Sequence, residues 1–299
     1  MNNIDDIVIN FDDNNLFLLN IILSFLMFGV ALDIKLDDFK KLFQAPKIPL
    51  VGLLSEYIYL PVLSLVLILL LDPYPSLALG MILISVCPGG SVSNFMVHLS
   101  KGNTALSVLL TSFTTAAAII ITPLAFGFWA SLLPQTAELL KSLNIDPVKI
   151  IKTVIFLIFI PVSIGMFINH KFPDFTNKIK RGVANLSMFI FLAFVTVALF
   201  KNYQKLQDYV HIVFFLVLIH NGLALAGGYR IARLFKLSKR DSRAISIETG
   251  IQNSGLGLVL AFQVFNGLGG MVLILAWWGI WHLISGYLLS LVWGRKKTT

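Results

Sequence analysis

The sequence predicts an all-α polytopic membrane protein, and three observations carry that reading. Apolar side chains make up 57% of the 299 residues and charged ones 13%; the mean hydropathy is +0.85; and apolar windows of membrane-crossing length recur from end to end. Soluble domains carry about 25% charged residues. Composition therefore excludes a cytosolic enzyme, a secreted module and a nucleic-acid binder. The single cysteine, Cys87, excludes an internal disulfide. The first fifteen residues hold Asp5, Asp6, Asp12 and Asp13 and no basic residue, whereas a cleavable signal starts with positive charge.

Apolar windows fall at about 16–34, 48–71, 75–99, 104–133, 150–169, 183–200, 209–229, 244–266 and 269–293. Nine spans put the two ends of the chain on opposite sides. Connections after odd-numbered spans, with the carboxyl end, hold 18 of the 23 basic residues, from Lys35, Lys40, Lys41 and Lys47 to Arg295, Lys296 and Lys297. The other side holds Lys141, Lys149, Lys152, Lys201 and Lys205. Basic residues accumulate in cytoplasmic loops, so the amino end is expected outside and the carboxyl end in the cytoplasm. The same bias accounts for the net charge of +8 without an anionic macromolecular partner. Lys101-Gly102-Asn103 reads as a tight hairpin between the third and fourth spans.

Only two of the 15 acidic residues, Glu56 and Glu248, lie well inside a span, and no basic residue lies inside one to pair with them. A charge at mid-bilayer costs about 2.5–3.5 kcal/mol even on the lenient insertion scale. What can balance these carboxylates is a bound cation, a proton or a wet cavity. Glu248 opens the run Glu-Thr-Gly-Ile-Gln-Asn-Ser-Gly at 248–255. Two glycines and this many polar side chains predict an unwound segment lining a cavity. Cys-Pro-Gly-Gly-Ser-Val-Ser-Asn at 87–94 interrupts the third span in the same way. Pro88 withdraws a donor, the glycines let the chain turn, and a new helix is expected near Ser91. Two interrupted spans in corresponding halves of a chain mark the midplane site of a transporter.

The fourth span adds Ser107, Thr111, Ser112, Thr114 and Thr115 in its first half. Ser107 and Thr111 lie one turn apart on one face. Membrane hydroxyls ordinarily bond back to helix carbonyls; beside two breaks and a carboxylate, this pair reads as oxygen ligands for Na⁺, which needs no His or Cys donor. His98, His170 and His211 fall at span ends, while His220 and His282 lie inside spans. Trp277, Trp278 and Trp281 read as packing residues. No His-Glu-x-x-His motif and no phosphate-cradling glycine loop is present, which disfavours an intramembrane protease or an ATP-driven pump.

The two interrupted motifs resemble the signatures of the bile acid:sodium symporter family, in its bacterial form. Lys101-Gly102-Asn103 before Ala105-Leu106-Ser107, the His220-Asn221-Gly222 triplet, and Trp281-His282 before Ser285-Gly286 follow in family order, so the likeness covers most of the chain. The resemblance implies an inverted-repeat fold with halves at about 16–133 and 150–293, two broken helices crossing at the midplane, and a core domain beside a smaller panel domain. Nine spans correspond to the variant that lacks the first of ten.

The resemblance also implies two Na⁺ sites. The first would use Ser93, Asn94, Ser107, Thr111 and Glu248, and the second Glu248, the carbonyls of Thr249 and Ile251, the Gln252 side chain and Glu56. The family generally has Gln where this chain has Glu56, which adds either a second charge near Glu248 or a bound proton and makes a pH-sensitive second site an expectation. Ser91 and Asn253, with His282 as a lesser contact, would meet an anionic head group, aided by the free N–H groups of a helix start. The implied function is sodium-coupled symport of an organic anion by alternating access, the substrate being bile acid-like or a small organic acid such as pantoate or a 2-keto acid. The alternatives are a proton-coupled carrier using Glu56 and Glu248, and a membrane receptor that binds without transporting. No enzyme activity and no nucleic-acid partner is expected. Compact loops without a usable glycosylation site suggest a bacterial inner membrane; the oligomeric state is left open.

Overall fold

Apolar runs fold into helices, and their proline and glycine residues decide where those helices break. The structure, a computed structural model, describes residues 4–9, 13–34, 46–143 and 155–295. The charges at Asp12, Lys35, Lys40, Lys41, Lys149, Lys152, Lys296 and Lys297 lie outside the described residues. The helices are α1 (Asp13–Ala31), α2 (Lys47–Leu71), α3 (Pro75–Ser85), α4 (Val92–Leu99), α5 (Thr104–Ser131) and α6 (Pro134–Ser142). They continue with α7 (Ile155–Lys171), α8 (Pro173–Lys201), α9 (Val210–Leu234), α10 (Lys239–Gly250), α11 (Ser254–Gln263) and α12 (Gly269–Arg295). No strand occurs among the described residues.

Helices α2, α5, α12 and α9 with its preceding turn (Gln207–Leu234) are long and apolar enough to cross a membrane unaided; shorter apolar helices include Phe17–Ala31, Pro75–Ser85, Ile155–Lys171 and Ser254–Gln263. The sequence windows at 75–99 and 244–266 each resolve into two helices, α3/α4 and α10/α11. Unwinding in the second pair is shorter than its composition predicts. Ile251 N–H still donates to the Ile247 carbonyl at 2.8 Å, so the helix runs through Glu248, Thr249 and Gly250 and stops only at Ile251–Asn253. Helix α2 carries a π-turn at Ser55–Tyr59, with Pro61 two residues after its end. A π-turn inserts one residue and re-aims its side chains, here those of Ser55 and Glu56.

Helix α1 packs on α7 and α8, and the remaining helices pack mainly on one another. A Cβ at Gly165 in α7 would stand 2.6 Å from Ala31 Cβ, and one at Gly228 in α9 would stand 3.0 Å from Ser246 Cα. Small residues thus let these helix backbones approach closely, which supplies the dispersion contacts that hold helices together in lipid. Every residue of α3 after Pro75 is buried, as expected for the innermost helix of the larger group.

Two polar ties fix the ends of the broken helices. On the basic side, Arg243 Nη1 donates to Ser100 O at 2.6 Å, Asn103 Nδ2 to Asp241 Oδ1 at 2.7 Å and Asn103 N–H to Arg240 O at 3.0 Å, joining the α4–α5 hairpin to the start of α10. At the other end the segment before α1 lies across the group as a strap. Ile4, Ile7 and Ile9 are buried, Ile9 N–H donates to Gly267 O at 2.8 Å, and Gly269 N–H donates to Ile7 O at 2.7 Å. Helix α3 has no cap of its own, since Tyr74 at its N-cap makes no side-chain bond; Asp5 Oδ1 accepts from Ser76 N–H at 2.8 Å instead. Asp5→Ala is expected to lower stability by about 1 kcal/mol, the usual worth of an N-cap carboxylate, measured as a lower melting temperature in detergent. An unchanged melting temperature would mean that the strap is not tied through this carboxylate.

Candidate functional site

The two breaks lie against each other. Gly90 N–H donates to Ile251 O at 2.7 Å and Asn253 N–H to Pro88 O at 2.8 Å, an antiparallel bridge centred on Gly89 and Gln252. Main-chain groups released by unwinding therefore pair with one another, as a water-poor interior requires. Helix α11 starts on Asn253, whose Oδ1 accepts from Leu256 N–H at 3.0 Å. The Val86 carbonyl, near the end of α3, is taken by Thr122 Oγ1 at 2.8 Å. The crossing is thus built from Pro88, Gly89 and Gly90 on one chain segment and Ile251, Gln252 and Asn253 on the other.

Glu248 reaches from the last turn of α10 into a cluster of oxygen atoms beside this crossing. Its Oε1 accepts from the Ser93 and Ser107 hydroxyls in very short contacts, and its Oε2 from Thr111 Oγ1 at 2.8 Å. Ser107 Oγ also lies 2.7 Å from Asn94 Oδ1, and Ser93 Oγ lies 3.4 Å from Thr111 Oγ1. Glu248, Ser93 and Ser107 are fully buried. Each hydroxyl carries a single hydrogen, so three hydroxyls cannot satisfy every one of these oxygen–oxygen approaches with a hydrogen bond. A compact all-oxygen shell with one formal charge is the donor chemistry of a hard monovalent cation, and Na⁺ fits it. Among the described residues no group of three His, Cys, Asp or Glu side chains gathers to hold another kind of metal.

A second group of oxygens lies on the other side of Gly89. Glu56 is buried, and neither of its carboxylate oxygens has a hydrogen-bond partner among the described residues; the same is true of Gln252 Oε1. The Gln252 amide is held by Nε2, which donates to Glu248 O and Thr249 O, both at 3.1 Å, so its carbonyl oxygen remains available. Ser55 Oγ lies 2.7 Å from Thr249 Oγ1, which donates in turn to Ile245 O at 2.7 Å. A Cβ on Gly89 would stand 2.5 Å from Glu248 Oε2 and 3.8 Å from Glu56 Oε2, so the absent side chain is what leaves room between the two carboxylates. A buried charged carboxylate with no donor costs several kcal/mol, a cost that a bound proton or a nearby cation would offset. The Thr249 and Ile251 carbonyls already accept one bond each, leaving each one lone pair.

Ser91, Asn253 and His282 converge from three helices on one small cavity of about 30 Å³ at the crossing. A larger cavity of about 900 Å³ opens beside it, between α5 and the pair α1 and α8. Ser91, Asn94 and Thr111 line it, as do Asp33, Lys180 and Arg181. Lys180 Nζ sits 2.9 Å from Asp33 Oδ1.

Two polar residues singled out in the sequence without an assigned role, Asn221 and Thr114, take part in building the site. Asn221 is fully buried, donates to Gly250 O at 2.7 Å and accepts from Ser285 Oγ at 2.6 Å, pinning the end of α10. Thr114 Oγ1 accepts from Gly89 N–H at 3.2 Å. The signal for Asn221 was its cost, a buried amide inside a span; nothing in the order of residues pointed Thr114 at Gly89. His220 has a structural place: Nε2 lies 2.9 Å from Ser64 Oγ, with its ring edge-on to Trp278 at 5.0 Å.

Residues 20–208 match the family described as the Sodium Bile acid symporter family. The chain is 31% identical over 278 residues to an uncharacterized sodium-dependent transporter, YocS, of Bacillus subtilis, covering 93% of this chain and 83% of that protein. It is 31% identical over 277 residues to a probable chloroplastic sodium/metabolite cotransporter of Arabidopsis thaliana, BASS1, covering 92% of this chain and 66% of that one. Similarity to the human ileal sodium/bile acid cotransporter is 26% over 238 residues, with 80% and 67% of the two chains covered.

Proposed function

The chain belongs to the sodium bile acid symporter family, and on that premise we propose that it carries an organic anion across the membrane together with sodium by alternating access. It is a transporter and not an enzyme. The observation that carries the reading is the pair of oxygen groups flanking Gly89, one gathered around Glu248 and the other holding the unpartnered oxygens of Glu56 and Gln252. Each takes one sodium ion as co-substrate. The first ion is held by Ser93, Asn94, Ser107, Thr111 and Glu248, and the second by Glu56, Glu248, Gln252 and the Thr249 and Ile251 carbonyls.

The anionic head group of the substrate docks at the start of α4, where Ser91, Asn253 and His282 meet. The amino end of α4 points its dipole there, and the bound cations complete the charge balance. The substrate is bile acid-like or a small organic acid such as pantoate or a 2-keto acid. Nine spans in two inverted halves, about 16–133 and 150–293, give a panel of α1, α7 and α8 that moves against a core of the other helices. Lys180 and Arg181 lie where the wide cavity opens to the cytoplasm, and the strap before α1 lies outside. The membrane is the bacterial inner membrane.

The test is the melting temperature of the purified protein in NaCl against KCl and choline chloride at equal ionic strength. A ligand that binds only the folded state stabilises it by about 2.7 kcal/mol at a hundred times its Kd, so a rise specific to Na⁺ is expected. Sodium-driven tracer accumulation in sealed proteoliposomes then separates a symporter from a receptor that only binds. If Na⁺ shows no preference and accumulation follows a proton gradient instead, the proton-coupled carrier using Glu56 and Glu248 replaces this reading.

A further inference from the structure

A groove of about 610 Å³ runs between α9 and α12 on the outer face of the larger helix group. It shares no lining residue with the cavities at the crossing and plays no part in the transport reading. Gly222, Ala226 and Leu289 line it together with Ser285, and Tyr229, Arg230 and Trp293 lie towards the end of α9. From Gly222 to Arg230 it extends along α9 for about 12 Å, at the rise of an α-helix. It is therefore mostly apolar towards Gly222 and aromatic and cationic where α9 ends.

The end at Tyr229 is a built structure. Tyr229 and Trp293 stand with ring centroids 5.4 Å apart, and the buried Arg243 guanidinium lies 5.9 Å from the Trp293 ring. Amphipathic aromatic rings of this kind sit at the head-group level of a bilayer. Arg230 is exposed, and among the described residues no carboxylate lies within ion-pair distance of it. Arg233, Lys236, Lys239 and Arg240 follow it and add positive charge at the same end. An arginine beside an apolar slot offers a planar set of donors to a phosphate whose acyl chain fills the slot. Basic pockets between transmembrane helices recognise anionic lipid head groups in this way.

We propose that the α9–α12 groove is a binding site for an anionic phospholipid, with one acyl chain along Gly222 and Ala226 and the phosphate on Arg230 between Tyr229 and Trp293. The groove backs onto Ser285, whose hydroxyl holds Asn221 and, through it, the end of α10. The occupant thus lies one residue layer from the crossing.

The experiment is a titration of delipidated protein with dioleoyl-phosphatidylglycerol or dioleoyl-phosphatidylcholine, with bound lipid counted by native mass spectrometry. Wild type is expected to retain one tightly held phosphatidylglycerol with at least tenfold preference over phosphatidylcholine. Arg230→Gln is expected to remove the preference, and Gly222→Phe to remove the tight site for both lipids. A Cβ at 222 meets nothing within 4 Å, and both Gly222 and Arg230 are exposed, so both variants are expected to keep the packed interior. Equal affinity for the two lipids in wild type, or a tight site that survives Gly222→Phe, overturns the proposal. A dimer in detergent that Gly222→Phe splits into monomers also overturns it, because a second copy of the chain would then be the occupant.

Discussion

Glu248→Gln is expected to reduce sodium-driven uptake to background and to abolish the thermal stabilisation by Na⁺. The substitution keeps the shape of the side chain, and the Ser93, Ser107 and Thr111 hydroxyls can turn to accept from an amide as readily as they donate to a carboxylate. What it removes is charge. A unit charge about 4 Å from a cation contributes about 4 kcal/mol at an effective dielectric constant of 20, roughly a thousandfold in affinity. Because Glu248 faces both oxygen groups, both ions weaken together. Melting curves across a NaCl series, with Ser290→Ala as the comparison, read the effect; Ser290 only bonds back to Gly286 O within α12, at 2.7 Å. Stabilisation by Na⁺ equal to that of wild type would remove Glu248 from the site.

Gly89→Ala carries the second large effect. One methyl group would enter the space between the carboxylates, 2.5 Å from Glu248 Oε2. Gly89 cannot retreat, because its N–H is held by Thr114 Oγ1 at 3.2 Å and its neighbour Gly90 is bonded to Ile251 O. Either the carboxylate leaves Thr111 or the crossing opens, and overpacking of this kind costs about 1–3 kcal/mol. The expected result is a half-saturating sodium concentration about 10- to 100-fold higher, in a protein that still folds. Gly127→Ala, where a methyl meets nothing within 4 Å, should leave the same titration unchanged. Sodium affinity within twofold of wild type in Gly89→Ala would mean that the ions do not lie beside this glycine.

Much of this was readable before the structure, for a physical reason: in lipid, every polar group inside a span is costly and so must have a purpose. Glu56 and Glu248 stood out by cost alone, the breaks by Pro88 and by paired glycines, and Ser107 with Thr111 by their spacing on one face. Less visible were groups whose partners lie far along the chain. Asp5 serves as the missing cap of α3 across 71 positions, and Arg243 ties to the Ser100 carbonyl across 143. Before the fold is known, either side chain looks like an ordinary interfacial charge. The length of the unwound segment also escaped composition, because glycine permits a break without requiring one, and Gly250 remains in the helix.

The oxygen cluster also constrains how the protein is made. Ser93 and Glu248 are 155 positions apart, and Ser55 and Thr249 are 194 apart, so neither oxygen group exists until α10 joins helices inserted long before it. Until that closure, Glu56 waits in the bilayer without the groups that will face it. The crossing therefore cannot close before α10 and the start of α11 are in place. Contacts between residues so far apart in the chain form slowly.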